Sequence, residues 1–451
     1  MTRLVVHPQR SPLAGSVPVP SDKSIGHRAL LFGALAHGTS EVRRFSYGED
    51  NVATLGALRA MGVAIDDDGD GTLRVHGVGL HGLRAPTAPL DCGNSGTTMR
   101  LLAGLLAAQP FASVLVGDAS LSRRPMARVA TPLRRRGARI EGAFSPTRPG
   151  EITAPLTIGP LVPPAQLCEI EHEMSVASAQ VKSALLLSGL YASGPTWVRE
   201  PVVSRDHSER MLRALGVPLR GAGPIVELDP AGWDARLASF AIDVPGDLSA
   251  AAFPLVAAAI VPGSQVAVRR VGVNPTRTGL LDLLRQMGAR LEVQVRDDVL
   301  GEPLAELLAA YSDLRGSLVA GELVTRAIDE VPIVCALAAR ARGVSEIADA
   351  GELRVKESDR IAEMVSVLRA FGLEADERPD GLVVEGRPDA PLRAAEVHSR
   401  GDHRIAMAAA VLALTADAPS VIHDVDCIAT SFPRFVATLR ALGATVDVAP
   451  D

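Results

Sequence analysis

The chain has 451 residues, 47% of them hydrophobic and 22% charged, which is enough for two or three domains with sizeable cores and too apolar for a disordered segment. A formal net charge of -6 and only 3% aromatic residues exclude a nucleic-acid binder, which needs basic surface and stacking rings. The longest apolar stretch, 405–416, is too short to span a bilayer, so no membrane association is expected.

Four cysteines, Cys92, Cys168, Cys335 and Cys427, lie far apart without metal-ligand spacing. The opening Met1-Thr2-Arg3-Leu4-Val5-Val6 carries no signal-like apolar region, and the expectation is a cytoplasmic protein with reduced thiols. Of 46 basic side chains only Lys23, Lys182 and Lys356 are lysines, so surface charge is expected to fall to arginine. A lysine is a compact charge that can shuttle a proton, and each of the three lies in a polar cluster just ahead of an apolar run, which invites a functional reading.

Along the chain, Leu-Arg-x-x-Gly closes an apolar helical pattern six times, at Gly62, Gly137, Gly216, Gly288, Gly372 and Gly443. Each glycine suits a helix C-cap, with the arginine in the last turn complementing the dipole. A short strand, a polar turn and another strand are expected to follow. Between these copies lie helices that are apolar on nearly all sides, at 29–35, 101–108, 184–190, 250–260, 334–341 and 405–414, and such helices must be buried. The reading is an α/β chain of six repeated units of about 75 residues. Turn-rich crossings at 18–20 and 244–247 divide it into 1–20 plus 246–451 and 21–245, three repeats each, with the first twenty residues lent as a strand to the C-terminal half.

The helices open on polar clusters: Ser21-Asp22-Lys23-Ser24, Gly93-Asn94-Ser95-Gly96-Thr97, Arg123-Arg124-Pro125, Ser178-Ala179-Gln180, Ser204-Arg205-Asp206-His207, Lys356-Glu357-Ser358-Asp359-Arg360 and Asp402-His403-Arg404. Small polar residues there are ordinary N-caps, and Asp329 ahead of its buried helix reads equally as one. Cations at a helix N-terminus are different, because the dipole disfavours them unless an anion lies between. The ligand is therefore expected to carry several negative charges. No Walker loop and no helix-opening GxGxxG is present, and His27, His207 and His403 read as structural rather than metal-binding.

Together with Gly26-His27-Arg28, Arg100 and Asn274-Pro275-Thr276-Arg277, these clusters resemble the 5-enolpyruvylshikimate-3-phosphate synthase family, in the form often called class II. The resemblance implies two domains, each of three βαβαββ-like subunits, with a ligand cleft between them. It implies transfer of the enolpyruvyl group of phosphoenolpyruvate to the 5-hydroxyl of shikimate 3-phosphate, with release of phosphate, in chorismate and aromatic amino acid biosynthesis. No metal or organic cofactor is implied; glyphosate is implied as an inhibitor, and a monomer is expected. By matching positions, Lys23, Ser24, Arg28, Ser178, Ala179, Gln180, Ser204, Arg205, Asp329 and Lys356 would hold shikimate 3-phosphate. Lys23, Asn94, Gly96, Arg124, Gln180, Arg360 and Arg404 would hold phosphoenolpyruvate. Asp329 would take the hydroxyl proton, and Glu357, with Lys23, would protonate the methylene carbon. Some members carry a lysine where this chain has Thr430, which removes one phosphate cation.

Three other readings stand beside this one. The sister enolpyruvyl transferase acting on UDP-N-acetylglucosamine carries a cysteine on the loop ahead of its Arg-Pro pair, whereas 120–125 here has none. RNA 3'-phosphate cyclase would need a nucleotidyl-accepting histidine and more basic surface. A non-catalytic repeat protein binding polyanions would not need Asp329 and Glu357 set among cations.

Overall fold

The computed structural model describes residues 2–145 and 148–450. The apolar helices are Lys23–Leu35, Gly96–Leu106, Ala179–Gly189, Leu248–Ile260, Val331–Ala339 and His403–Ala413. Every residue of Leu248–Ile260 and of Val331–Ala339 is buried, as helices without a polar face require. Where Gly96–Leu106 crosses Ala179–Gly189, a Cβ on Gly104 would stand 2.2 Å from the Ala184 carbonyl oxygen. Only glycine permits that backbone approach.

The six capped helices are Glu49–Ala60, Ala127–Arg135, His207–Ala214, Gly279–Gln286, Arg360–Ala370 and Phe435–Ala441. Just past each, the repeat's closing glycine turns to positive φ, from 82° at Gly372 to 108° at Gly137, which L side chains resist. The repeat's arginine does more than complement a dipole. In five copies it reaches six residues forward to a carbonyl of the next strand or strand start: Arg59 to Ile65 at 2.8 Å, Arg134 to Ile140 at 2.7 Å, Arg213 to Leu219 at 3.4 Å, Arg369 to Ala375 at 2.9 Å and Arg440 to Val446 at 2.8 Å. Arg285 instead meets Asp282 at 3.4 Å. The motif therefore joins a helix C-terminus to the strand that follows, and fixes the angle at which the chain leaves the turn.

Six sheets share one pairing scheme. An edge strand runs parallel to the second strand, the third is antiparallel to the second, and the fourth lies beyond it, as in Leu90–Asp91, Ser113–Val116, Ile152–Ile158 and Ile140–Phe144. The chain divides into a split unit, Met1–Pro20 with Pro245–Asp297 and Pro303–Asp451, and an inserted unit, Ser21–Val244 with Asp298–Glu302. Each holds three of the sheets around its own apolar core. The opening segment lends two strands rather than one. Thr2–Val6 lies antiparallel between Ser420–His423 and Val446–Pro450, while Ala14–Val17 runs parallel to Gln265–Gly272 in a different sheet. In the inserted unit, Leu237–Ala238 and Ala241–Asp243 supply the parallel edge of Ala36–Arg43 and close the unit on its own first repeat.

Candidate active site

In the inserted unit, three apolar helices start on candidate ligand residues. Asp22 caps the first, accepting from the Ile25 N–H at 2.9 Å, and Lys23 is its first residue. The Lys23 ammonium is partly exposed and 2.8 Å from Asp50, which holds its position. Arg28, one turn further, is 3% exposed. It donates to the Ser24 carbonyl at 2.9 Å, Ser208 Oγ at 2.7 Å and Ser183 Oγ at 2.8 Å, and burial lowers its guanidinium to about 10.

Ser95 caps the second helix, and Gly96 opens it. Asn94 bridges two elements, donating to Asp118 at 2.7 Å and accepting from Arg124 at 2.5 Å. Arg100 is 6% exposed and donates to Gln180 Oε1 at 2.6 Å and the Pro125 carbonyl at 3.2 Å. Gln180 donates in turn to Thr97 at 2.9 Å. Ser178 caps the third helix. Asn94 is thus tied to Arg124, and Gln180 to Arg100 and Thr97, while Gly96 and Ala179 are the first residues of helices whose dipoles favour anions at that end. Ser204 is buried and Arg205 half-buried on the segment that leads into the helix His207–Ala214.

The split unit gathers its own set around Arg360, the first residue of its helix. The guanidinium, 2% exposed, donates to Asp402 at 2.8 Å and Glu357 at 2.7 Å, and lies 3.7 Å from Asp329. Burial opposes the charge, but Glu357, Asp402 and Asp329 outweigh it and push the arginine further up. Burial likewise raises Asp402, yet Arg360 holds its carboxyl below the usual range. Asp402 also caps the helix His403–Ala413 and accepts from Ser358 at 3.0 Å. Arg404 donates to the Asp329 carbonyl at 2.8 Å. Lys356 is partly exposed, 3.3 Å from Glu352. Asp329 is not the cap of its helix: that position is Glu330, and the helix runs Val331–Ala339. Thr430 ends a short 3-10 helix, Val425–Thr430.

Two histidines at the starts of these helices carry a consequence for acid stability. His27 and His403 are buried, and burial lowers each ring from the ordinary 6.5 to about 3. An unfolded chain takes up a proton below 6.5 that the folded chain refuses until about 3. The stability each neutral ring contributes is therefore present above pH 6.5 and lost as pH falls through that window, at about 1.4 kcal/mol per pH unit per ring. Urea titrations between pH 7.5 and 5 should show this slope. His27→Gln should reduce it by about one proton, and an unchanged slope would reassign the acid loss to other groups.

A family model described as EPSP synthase (3-phosphoshikimate 1-carboxyvinyltransferase) matches residues 8–439. The chain belongs to the EPSP synthase family. The 3-phosphoshikimate 1-carboxyvinyltransferase of Syntrophotalea carbinolica is 53% identical over 423 residues, covering 94% of this chain and 95% of that protein. That of Geobacter metallireducens is 51% identical over 448 residues, covering 98% and 100%. A solved structure of EPSP synthase from Acinetobacter baumannii, 43% identical, matches 100% of both chains with a TM-score of 0.89. The two-domain architecture of six βαβαββ-like subunits expected from the family resemblance is the fold of this chain.

Several polar residues and ties at the two sets escaped the sequence reading. Asp50 meets Lys23, and Glu200 accepts from Ser178 N at 3.3 Å; Asp402 stood in its motif, but its tie to Arg360 was hidden. Arg100 was visible as a motif residue, but its tie to Gln180, 80 positions away, was not. The available signal was a lone charge at the edge of an apolar run, since such a charge is seldom buried without a partner.

Proposed function

We infer that the chain is a 3-phosphoshikimate 1-carboxyvinyltransferase, moving the enolpyruvyl group of phosphoenolpyruvate to the 5-hydroxyl of shikimate 3-phosphate and releasing phosphate. The observation that carries the catalytic reading is the Arg360 guanidinium, which one carboxylate, Glu357, meets at 2.7 Å and another, Asp329, approaches to 3.7 Å. Asp329 accepts the 5-hydroxyl proton as the oxygen attacks the enolpyruvyl carbon, and Glu357 delivers a proton to the methylene carbon, giving a tetrahedral adduct. Loss of phosphate and of a methyl proton from that adduct restores the vinyl ether. Lys23, Ser24, Arg28, Ser178, Ala179, Gln180, Ser204, Arg205 and Lys356 are assigned to shikimate 3-phosphate. Lys23, Asn94, Gly96, Arg124, Gln180, Arg360 and Arg404 are assigned to phosphoenolpyruvate. Guanidiniums suit carboxylate and phosphate because they offer paired donors. Phosphate release that requires both substrates tests the activity; release from phosphoenolpyruvate alone, or none with both, would overturn it.

Four free cysteines among the described residues support a reducing, cytoplasmic setting, and we take the working form to be a monomer. Glyphosate is assigned as an inhibitor because Gly96 leaves room beside two guanidiniums. A Cβ at position 96 would stand 2.8 Å from Arg100 Nη1 and 3.5 Å from Arg124 Nη1, so a methyl group crowds cations as well as ligand. Gly96→Ala should weaken glyphosate inhibition by about tenfold or more, and raise KM for phosphoenolpyruvate by less. Equal losses for both would sink the steric argument.

A further inference from the structure

Lys182 is the lysine that the proposed ligand roles leave unused. It is 1% exposed, in the first turn of the helix Ala179–Gly189. An ammonium carries three N–H donors, and three acceptors surround this one: Glu200 Oε2, Glu209 Oε1 at 2.8 Å and the Ser204 carbonyl at 3.4 Å. Burial works against the charge, but Glu209 and Glu200 outweigh it and hold the lysine above its ordinary range. Glu200 faces two chain segments at once. It accepts from the Ser178 N–H at 3.3 Å, and from both the N–H, at 3.3 Å, and the hydroxyl of Ser204.

We propose that Glu200 and Lys182 form a positioning pair for shikimate 3-phosphate, setting the spacing between the helix start at Ser178–Ala179–Gln180 and the segment Ser204–Arg205. The inference rests on the assignment of those residues to that ligand. A buried ion pair is a poor device for stability alone, since well-packed apolar residues serve as well or better. What apolar residues cannot do is accept hydrogen bonds from two separate pieces of backbone and hold them in register. A carboxylate behind an anion site would by itself repel the ligand. Lys182, shared with Glu209, offsets part of that charge, so Glu200 can order the two segments at a smaller cost to the field they present. Lysine rather than arginine fits the place, because three acceptors around one nitrogen match an ammonium and not a planar fork.

The test compares Glu200→Gln with the parent by calorimetric titration of shikimate 3-phosphate and by the KM of each substrate. The expected result is a Kd for shikimate 3-phosphate raised by about tenfold or more, with KM for phosphoenolpyruvate within about twofold. Should that variant fail to fold, Glu200→Gln with Lys182→Met and Glu209→Gln removes all three charges together and leaves no buried ion unmatched, and the same split is expected. Unchanged shikimate 3-phosphate affinity, or equal weakening of both substrates, overturns the proposal. Ser178→Ala and Ser204→Ala, measured alongside, separate the two levels. If they leave shikimate 3-phosphate binding intact, the ligand assignment of the serines fails; if they weaken it while Glu200→Gln does not, the positioning pair alone fails.

Discussion

Asp329→Asn is expected to lose on the order of 10² or more in kcat while keeping its melting temperature and binding shikimate 3-phosphate within about tenfold. Asparagine retains an oxygen and gains an N–H₂, so it can still hydrogen-bond a hydroxyl, but it accepts no proton at neutral pH. The structural alternative is weak, because the helix Val331–Ala339 has its cap position at Glu330 and Asp329 lies one residue before it. Nor does the change strand a buried charge. The Asp329 side chain is 18% exposed and its Arg360 contact, at 3.7 Å, is the longest of those that arginine makes with its carboxylates at Glu357, Asp402 and Asp329. Stopped-flow or steady-state turnover beside a thermal melt decides the matter. A variant that melts early and turns over normally would return Asp329 to a structural role.

The repeats were legible in sequence because each ends on a residue whose backbone only glycine adopts easily, and each begins a helix that water cannot tolerate on any side. The strand partners of the first seventeen residues were less so. Ala14–Val17 pairs with a strand some 250 positions away, and such pairing leaves no local mark. Arginine does supply most of the basic surface charge, but five arginines among the described residues are buried. Arg136 is 0% exposed and donates to the Cys168 and Leu185 carbonyls and to Ser188 and Thr196, while Arg28, Arg100, Arg277 and Arg360 are buried as well. A guanidinium has five donors in a plane and can be dissolved in carbonyls and hydroxyls, so composition alone cannot separate its buried from its solvated copies. The lysines, by contrast, divided as their scarcity suggested only in part. Lys23 and Lys356 remain partly exposed, and Lys182 is enclosed with two carboxylates.

Arg360→Met should destabilise the fold by about 3–5 kcal/mol, because it removes one partner from a buried ionic set and leaves the other behind. The partner left is Asp402, 0% exposed, which also caps the helix His403–Ala413 through the Arg404 N–H at 2.9 Å. Arg360→Lys should recover only part of the loss, since one ammonium cannot reproduce the fork that meets Asp402 and Glu357 together. The sign of the pH dependence separates electrostatics from packing. In the parent, Arg360 holds Asp402 below the usual carboxylate range, so that stability is present above the unfolded pKa and lost as pH falls through the folded one. In Arg360→Met, the largest counterweight to burial is gone while the hydrogen bonds from the Arg404 N–H and Ser358 remain, so Asp402 is raised relative to the parent and the variant's handicap is full at neutral pH and shrinks as Asp402 takes up a proton on acidification. Urea titrations of both proteins at pH 7.5 and 5 should therefore converge toward the acid side, and a double variant with Asp402→Asn should lose less than the two single changes added together. A deficit that stays constant across that range would place the cost in lost packing around the arginine stem and not in the charge it leaves behind.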